Sequence, residues 1–167
     1  MSARIHLRYP TLADEAEFLA RVRASRALHH PWMHPPSTPE RFRSYVQRMQ
    51  EPAHRGFLVC RAEDGAIAGV INISEIVLGI LRSGYLGYYA FAGFERRGLM
   101  REGLQGVVRY AFGKLKLHRL EANIQPGNVA SIALAASCGF SKEGYSPRYL
   151  KIAGRWRDHE RWAILAS

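Results

Sequence analysis

Three stretches carry residue types at spacings that could do chemistry. The first is Glu95-Arg96-Arg97-Gly98-Leu99-Met100-Arg101-Glu102, set between an apolar aromatic run (Tyr85 to Phe91) and a helical pattern from Leu99 to Leu115. A loop that enters a helix presents N–H groups with no internal partner, and the helix dipole makes that end electropositive. Such an end binds phosphate. Gly98 lets the backbone approach a ligand without a Cβ in the way, and Arg96, Arg97 and Arg101 add charge. The chemistry expected is pyrophosphate binding, although many helices begin with a glycine and an arginine and hold no ligand. The second stretch is Asn128 to Ser131, where another helix pattern begins. The third is His29-His30-Pro31-Trp32-Met33-His34, in a span whose four prolines exclude regular structure. Trp32 and Met33 there could wall a substrate site. Its histidines lack an acidic or cysteine partner nearby, so no metal is expected.

These stretches need a scaffold, and the chain is long enough for one. Its 167 residues, 47% hydrophobic and 23% charged, describe an ordinary globular protein of one domain with a real core. No apolar run reaches membrane-spanning length. The start, from Met1 to Arg8, alternates like a strand and lacks the apolar region of a signal peptide, so a cytoplasmic location is expected. Cys60 and Cys138 have no metal-ligand spacing and are expected as buried thiols rather than a disulfide. The net charge of +10 suits a polyanionic partner, whether nucleotide cofactor, RNA or ribonucleoprotein surface; it equally suits a solubility role.

Taken in order, Arg4 to Tyr9 alternates as a first strand. Thr11 caps an amphipathic helix to about Ser25. Ser37 or Thr38, with Pro39 at the first position, caps a second helix that stops before Pro52. Phe57–Arg61, Ile67–Val77 (with Gly69 as a bulge) and Tyr85–Phe91 form a meander of strands. The helix from Leu99 follows, with Leu104, Val107, Val108, Ala111, Phe112 and Leu115 on one face. His118–Ile124 is a strand, Val129–Ser137 a helix ended by Gly139, and Tyr145–Ile152 and Trp156–Leu165 a closing pair of strands. This order is an α/β (α+β) domain.

Two motifs then stand together. Glu95-x-x-Gly98-x-Met100 lies at a strand–helix junction. Asn128-x-x-Ser131-x-x-Leu134 continues to Gly139-Phe140-x-x-Glu143-Gly144-Tyr145. Together they resemble the acetyl-CoA-binding motifs of the GNAT N-acetyltransferases. Tyr85-Leu-Gly-Tyr, His118-Arg-Leu-Glu-Ala-Asn, Gly144-Tyr and Trp156-Arg-Asp-His resemble the Rim-type branch, the ribosomal-protein alanine N-acetyltransferases. The likeness is strong from about Gly69 onward. Two positions depart from it: Glu95 stands where the phosphate loop usually opens with glutamine or arginine, and Ala135 stands where many relatives carry a tyrosine that protonates the departing thiolate.

The resemblance implies a single GNAT domain over residues 1–167, with a mixed sheet of about seven strands splayed at strands 4 and 5 and about four helices. It implies transfer of an acetyl group from acetyl-CoA to a primary amine by direct attack. Arg96 to Arg101 would hold the pyrophosphate through Arg96, Arg97, Gly98, Leu99, Met100 and Arg101. Tyr89, Ala90 and Phe91 would lie along the pantetheine, with Asn128 and Ser131 near its sulfur end. Glu75 is the candidate base, Ser131 the candidate acid, and Tyr88 lines the amine site; each has a structural alternative as a solvated carboxylate, a helix-start hydroxyl and a core tyrosine. Trp32 and Met33 would meet the acceptor. The acceptor implied is a protein N-terminal amine, as on a ribosomal protein, with association with the ribosome. Small amines and a non-catalytic ribosome- or RNA-associated role are the alternatives. No DNA, membrane or metal partner is expected, and the chain would act as monomer or homodimer.

Overall fold

A computed structural model describes residues 3–167; Met1 and Ser2, which open the alternating N-terminal stretch, lie outside the described residues. Seven strands form one sheet in the order β1-β2-β3-β4-β5-β7-β6. They are β1 (Ile5–Arg8), β2 (Arg55–Arg61), β3 (Ile67–Val77), β4 (Ser83–Ala90), β5 (Arg119–Ile124), β6 (Ser141–Ile152) and β7 (Arg155–Leu165). All neighbours are antiparallel except β4 and β5. Five α-helices, α1 (Glu15–Ala24), α2 (Arg26–His29), α3 (Pro39–Arg48), α4 (Leu99–Gly113) and α5 (Val129–Ser137), cover the sheet.

Local chemistry sets the helix starts. The Thr38 hydroxyl accepts from the Arg41 N–H at 3.2 Å, and Pro39 follows at the first position, where its missing N–H costs nothing. Asn128 caps α5 by accepting from the Ser131 N–H at 3.4 Å. Before α1, Thr11 opens a short 3-10 turn, and its N–H and the Arg8 guanidinium both bind the Asp14 carboxylate. The helix expected to end near Ser25 restarts as the single turn α2, held by the His29 N–H on the Ser25 carbonyl at 2.9 Å, so five α-helices stand among the described residues where about four were expected.

The core lies on both faces of β2 and β3, where Leu58, Val59, Val70, Ile71 and Ile73 are fully buried. Burying each such side chain stabilises the fold by roughly 1.5–3 kcal/mol. Phe18 of α1 and Phe42 of α3 close one face with ring centroids 4.8 Å apart. Leu104, Val107 and Ala111 of α4 close the other. The irregularity expected at Gly69 falls beside it: the register shifts so that Val59 opposes Gly69 and Cys60 opposes Ile67.

The pairing of β4 with β5 positions the site. It runs only from Ser83 opposite Arg119 to Leu86 opposite Ala122. Beyond Leu86 the two strands part, as expected, and the rest of β4 has a free edge. No helix among the described residues is long and apolar enough to cross a membrane.

Candidate active site

Where β4 and β5 part, a cavity of about 690 Å³ opens. Tyr88, Tyr89 and Ala90 of β4 form its floor. Glu95, Arg96, Gly98 and the first turn of α4 form one wall, and Asn128, Ser131 and Leu134 of α5 the other. Trp32 and Met33 lie over it.

The floor offers backbone groups because β5 has turned away. Phe91 gives its N–H to the Ala68 carbonyl of β3 at 2.9 Å. Alternation along a strand therefore turns the N–H and carbonyl of Ala90 to the opposite, unpaired side. The Ala90 carbonyl there accepts from His29 Nε2 at 2.7 Å. That bond fixes the neutral tautomer with its proton on Nε2, in keeping with burial, which lowers the imidazole pKa. His29 Nδ1 has no partner among the described residues. The Ala90 N–H remains facing the cavity.

The α4 wall is a concave set of donors. Arg96 and Gly98 both adopt left-handed backbone, with φ of 62° and 75°. For arginine this costs about 1–2 kcal/mol; glycine is free of the penalty. The turn so made leads straight into α4, whose first internal bond is from the Glu102 N–H to the Gly98 carbonyl at 3.1 Å. The N–H groups of Leu99, Met100 and Arg101 therefore have no helical partner and stand at the positive end of the dipole. Arg4 braces the loop by donating to the Arg97 carbonyl at 2.7 Å and pairing with Glu102 at 3.3 Å.

Glu95 turns back onto this loop. Its carboxylate accepts from the Gly93 N–H at 2.7 Å. The loop's own N–H groups, that of Glu95 first and those of Gly93 and Phe94 with it, hold the carboxyl below the usual range. Its charge is thus already engaged by backbone donors.

On the α5 wall, Ser131 Oγ donates to the Tyr88 hydroxyl at 3.1 Å, and Tyr88 donates to the Ser131 carbonyl at 2.8 Å. Burial pushes the Tyr88 phenol up to about 12, with the Ser131 bond pulling weakly the other way. Ala135 is fully buried in packing. The Cys138 thiol donates to the Arg101 carbonyl at 3.7 Å and is pushed up by burial, so it ties α5 to α4 as a neutral group.

The loop over the cavity is anchored on both sides of the splay. The Trp32 N–H binds the His29 carbonyl at 2.8 Å, while the Trp32 carbonyl accepts from Gln125 Nε2 at 3.1 Å. The indole lies on Gly127, where a Cβ would come within 3.0 Å of its Cη2. A glycine at 127 is what lets the ring lie so close.

The cavity gathers Trp32, Met33, Tyr88, Tyr89, Ala90, Arg96, Gly98, Leu99, Met100, Arg101, Asn128 and Ser131 from four separate segments. Three residues expected in the site fall outside it. Glu75 sits in the irregular stretch of β3 between Ser74 and Val77, exposed to solvent, and Ser74 pairs with Tyr85 at the start of β4. The cavity is at the other end of β4. Antiparallel pairing puts roughly 13 Å of strand between Glu75 and Tyr88, the nearest floor residue, so Glu75 stands outside the cavity lining. Phe91 is a core side chain, fully buried against Phe18 with centroids 5.6 Å apart, and its N–H is committed to β3. Arg97 is exposed and joins the loop through its carbonyl instead of facing the cavity. Sequence reasoning gave His29 no role toward β4 and missed Ser25, which ties the end of β4 down by accepting from the Ala92 N–H at 2.8 Å. Both contacts cross more than sixty residues and leave no local signature.

The sequence profile described as the acetyltransferase (GNAT) domain matches residues 4–141. The chain is 35% identical to the probable N-acetyltransferase YjcK of Bacillus subtilis over 75% of its own length and 70% of that protein's. It is 42% identical to the ribosomal protein uS5-alanine N-acetyltransferase of Escherichia coli, over 61% of its own length and 53% of that one's. Spermidine N(1)-acetyltransferase of Vibrio cholerae is 27% identical over 100% of this chain and 96% of its own. Among solved structures, Mycobacterium smegmatis RimJ in complex with CoA-disulfide superposes with a TM-score of 0.89 at 27% identity, covering 97% of this chain and 82% of that one.

Proposed function

This chain belongs to the GNAT acetyltransferase family and is an acetyl-CoA-dependent N-acetyltransferase, and on that footing we propose that its acceptor is the α-amine of a protein N-terminus, of the ribosomal-protein alanine type.

The observation that carries this reading is the charge of the cleft. Glu95 is the single carboxylate among its lining residues, and the loop backbone already engages it. A polyamine brings several positive charges, and burying them calls for acidic partners. A peptide amine has a pKa of roughly 7.7–8.0 and enters with a usable neutral fraction. The likeness to the uS5-alanine enzyme supports the same acceptor. The net charge of +10 suits a substrate presented on a ribonucleoprotein, and hence association with the ribosome. Acetylation of a small amine is the second reading, and the full-length similarity to a spermidine acetyltransferase is what favours it.

The residues present fit the cofactor. The unpartnered N–H groups of Leu99, Met100 and Arg101 suit a diphosphate, with the Arg96 and Arg101 guanidiniums beside them. The N–H of Ala90 on the open edge of β4 is placed to bind an amide or thioester oxygen. Asn128, Tyr89 and Met100 line the passage between these two points. When bound, acetyl-CoA supplies the activated acyl carbon that the amine attacks. Ser131 holds a proton at Oγ, 3.1 Å from the Tyr88 hydroxyl, for the departing sulfur, and the proton shed by the acylated nitrogen restores it. Tyr88 stays neutral and keeps Ser131 in place from the sheet side, where related chains use a tyrosine on α5. Trp32 and Met33 exclude water and orient the acceptor.

An acceptor panel tests the reading. Alanyl N-terminal peptides are expected to give higher kcat/KM than spermidine, an amino acid amide or an aminoglycoside. Turnover of spermidine above every peptide would reject it.

A further inference from the structure

Beyond the Trp32 loop lies a second cavity, of about 460 Å³, lined by His34, Pro36 and one face of α3. On that face Arg41, Ser44, Tyr45 and Arg48 follow one another three, one and three residues apart, so they stand in one row. Arg41 and Arg48 are exposed. Among the described residues neither guanidinium has a carboxylate or hydrogen-bond partner, whereas Arg43 on another face pairs with Glu15 at 3.0 Å. Glu40 is the one carboxylate in the lining, so two arginines face one acid, with His34 beside them.

The two cavities share a wall. Trp32 and Met33 line the first, and His34 and Pro36 of the same loop line the second. Behind them Tyr45 is buried and donates to Asn72 Oδ1 at 2.6 Å. Tyr89, on the floor of the main cleft, lies close enough to Tyr45 and Arg48 for both to act on its phenol, and its buried hydroxyl has no partner among the described residues. The row of arginines thus adjoins the Trp32–Met33 side of the main cleft, across one loop.

We propose that the second cavity is a specificity site for a carboxylate on the acceptor: Arg41 and Arg48 hold an aspartate or glutamate side chain close behind the amine being acetylated. This rests on the reading of a peptide acceptor. An extended peptide advances about 3.3 Å per residue, so the residues that cross the Trp32–Pro36 segment between the two cavities are those just behind the amine, and the acid is expected at the second to fourth residue. A lysine there, or the far amine of a polyamine, meets like charge.

The test compares alanyl peptides that differ only in carrying Glu, Gln or Lys at residue two, three or four. At one of these positions Glu is expected to exceed Gln in kcat/KM by about tenfold, mainly through KM, with Lys below Gln. In the Arg41→Gln/Arg48→Gln double variant the Glu and Gln peptides become equal, while KM for acetyl-CoA is unchanged. Equal kcat/KM for the three peptides with the unaltered enzyme, or a Glu preference that survives the double substitution, overturns the carboxylate site and leaves the peptide reading standing. Spermidine turnover with no peptide turnover overturns both.

Discussion

The Ser131 hydroxyl donates to the Tyr88 hydroxyl at 3.1 Å while Tyr88 donates to the Ser131 carbonyl at 2.8 Å, a closed exchange that joins α5 to β4 across the splay. If Ser131 serves as acid and Tyr88 holds it there, Ser131→Ala and Tyr88→Phe each lower kcat by about a hundredfold. The double variant is no worse than the poorer single one, because the pair acts as a unit. Acetyl-CoA binding, read by calorimetry, is retained in all three. Additive losses, or an unimpaired Tyr88→Phe enzyme, would show that the two hydroxyls only support packing.

Glu95 takes part in the loop's own hydrogen bonding, and its charge stands near the expected diphosphate. Glu95→Gln keeps an oxygen for the Gly93 N–H and removes the charge, so acetyl-CoA is expected to bind several-fold tighter. Glu95→Ala removes both and weakens binding by loosening the loop. Isothermal titration of the two variants separates these effects; tighter binding by Glu95→Ala would mean the hydrogen bond does not shape the loop.

Much of this arrangement was legible in the sequence, and the rest was not for a physical reason. Asn128 as a cap, Gly139 at φ 94° as a terminator and the apolar run of β3 are local signals, and the structure follows them. The Gly98 turn and α4 were legible for the same reason. Glu75 was misplaced because strand direction is a non-local property: its distance from the cleft depends on which end of β4 it pairs with. Phe91 looked like an edge residue, yet its ring is held by Phe18 and its N–H by Ala68. The hydrogen bond from His29 to Ala90 needed the helices docked on the sheet before it existed.

The Arg8–Asp14 pair gives a pH dependence of stability. Burial raises the Asp14 carboxyl, but the Arg8 guanidinium at 2.6 Å and the Thr11 N–H outweigh it and bring it below its ordinary value. A depressed carboxyl stabilises the fold above its unfolded pKa, and that contribution is lost as pH falls through the folded one. Asp14→Asn is therefore expected to cost about 2 kcal/mol near pH 7. The gap to the unaltered chain should narrow steadily in acid. Urea melts across that range check it; a pH-independent gap would assign the loss to packing.

The Trp32 main chain bridges His29 and Gln125, and this sets its indole against Gly127 over the cleft. Trp32→Ala is expected to raise KM for the peptide acceptor about tenfold with a much smaller change for acetyl-CoA. Steady-state kinetics with each substrate varied in turn decides it, and a rise confined to KM for acetyl-CoA would place the indole on the cofactor instead.

The most direct test of the site is a thermal melt with and without acetyl-CoA, for the unaltered chain and for Gly98→Asp. Aspartate tolerates the left-handed backbone better than most side chains, and its Cβ comes within 2.9 Å of the Arg4 guanidinium, so its carboxylate draws Arg4 off the Arg97 carbonyl that it braces and sets a negative charge beside the helix-entry loop. At a hundredfold excess over Kd the cofactor adds about 2.7 kcal/mol, a rise of roughly 5–10 °C for a domain of this size. The account predicts that rise for the unaltered chain and none for Gly98→Asp. An equal rise in both would contradict the placement of the diphosphate at the start of α4.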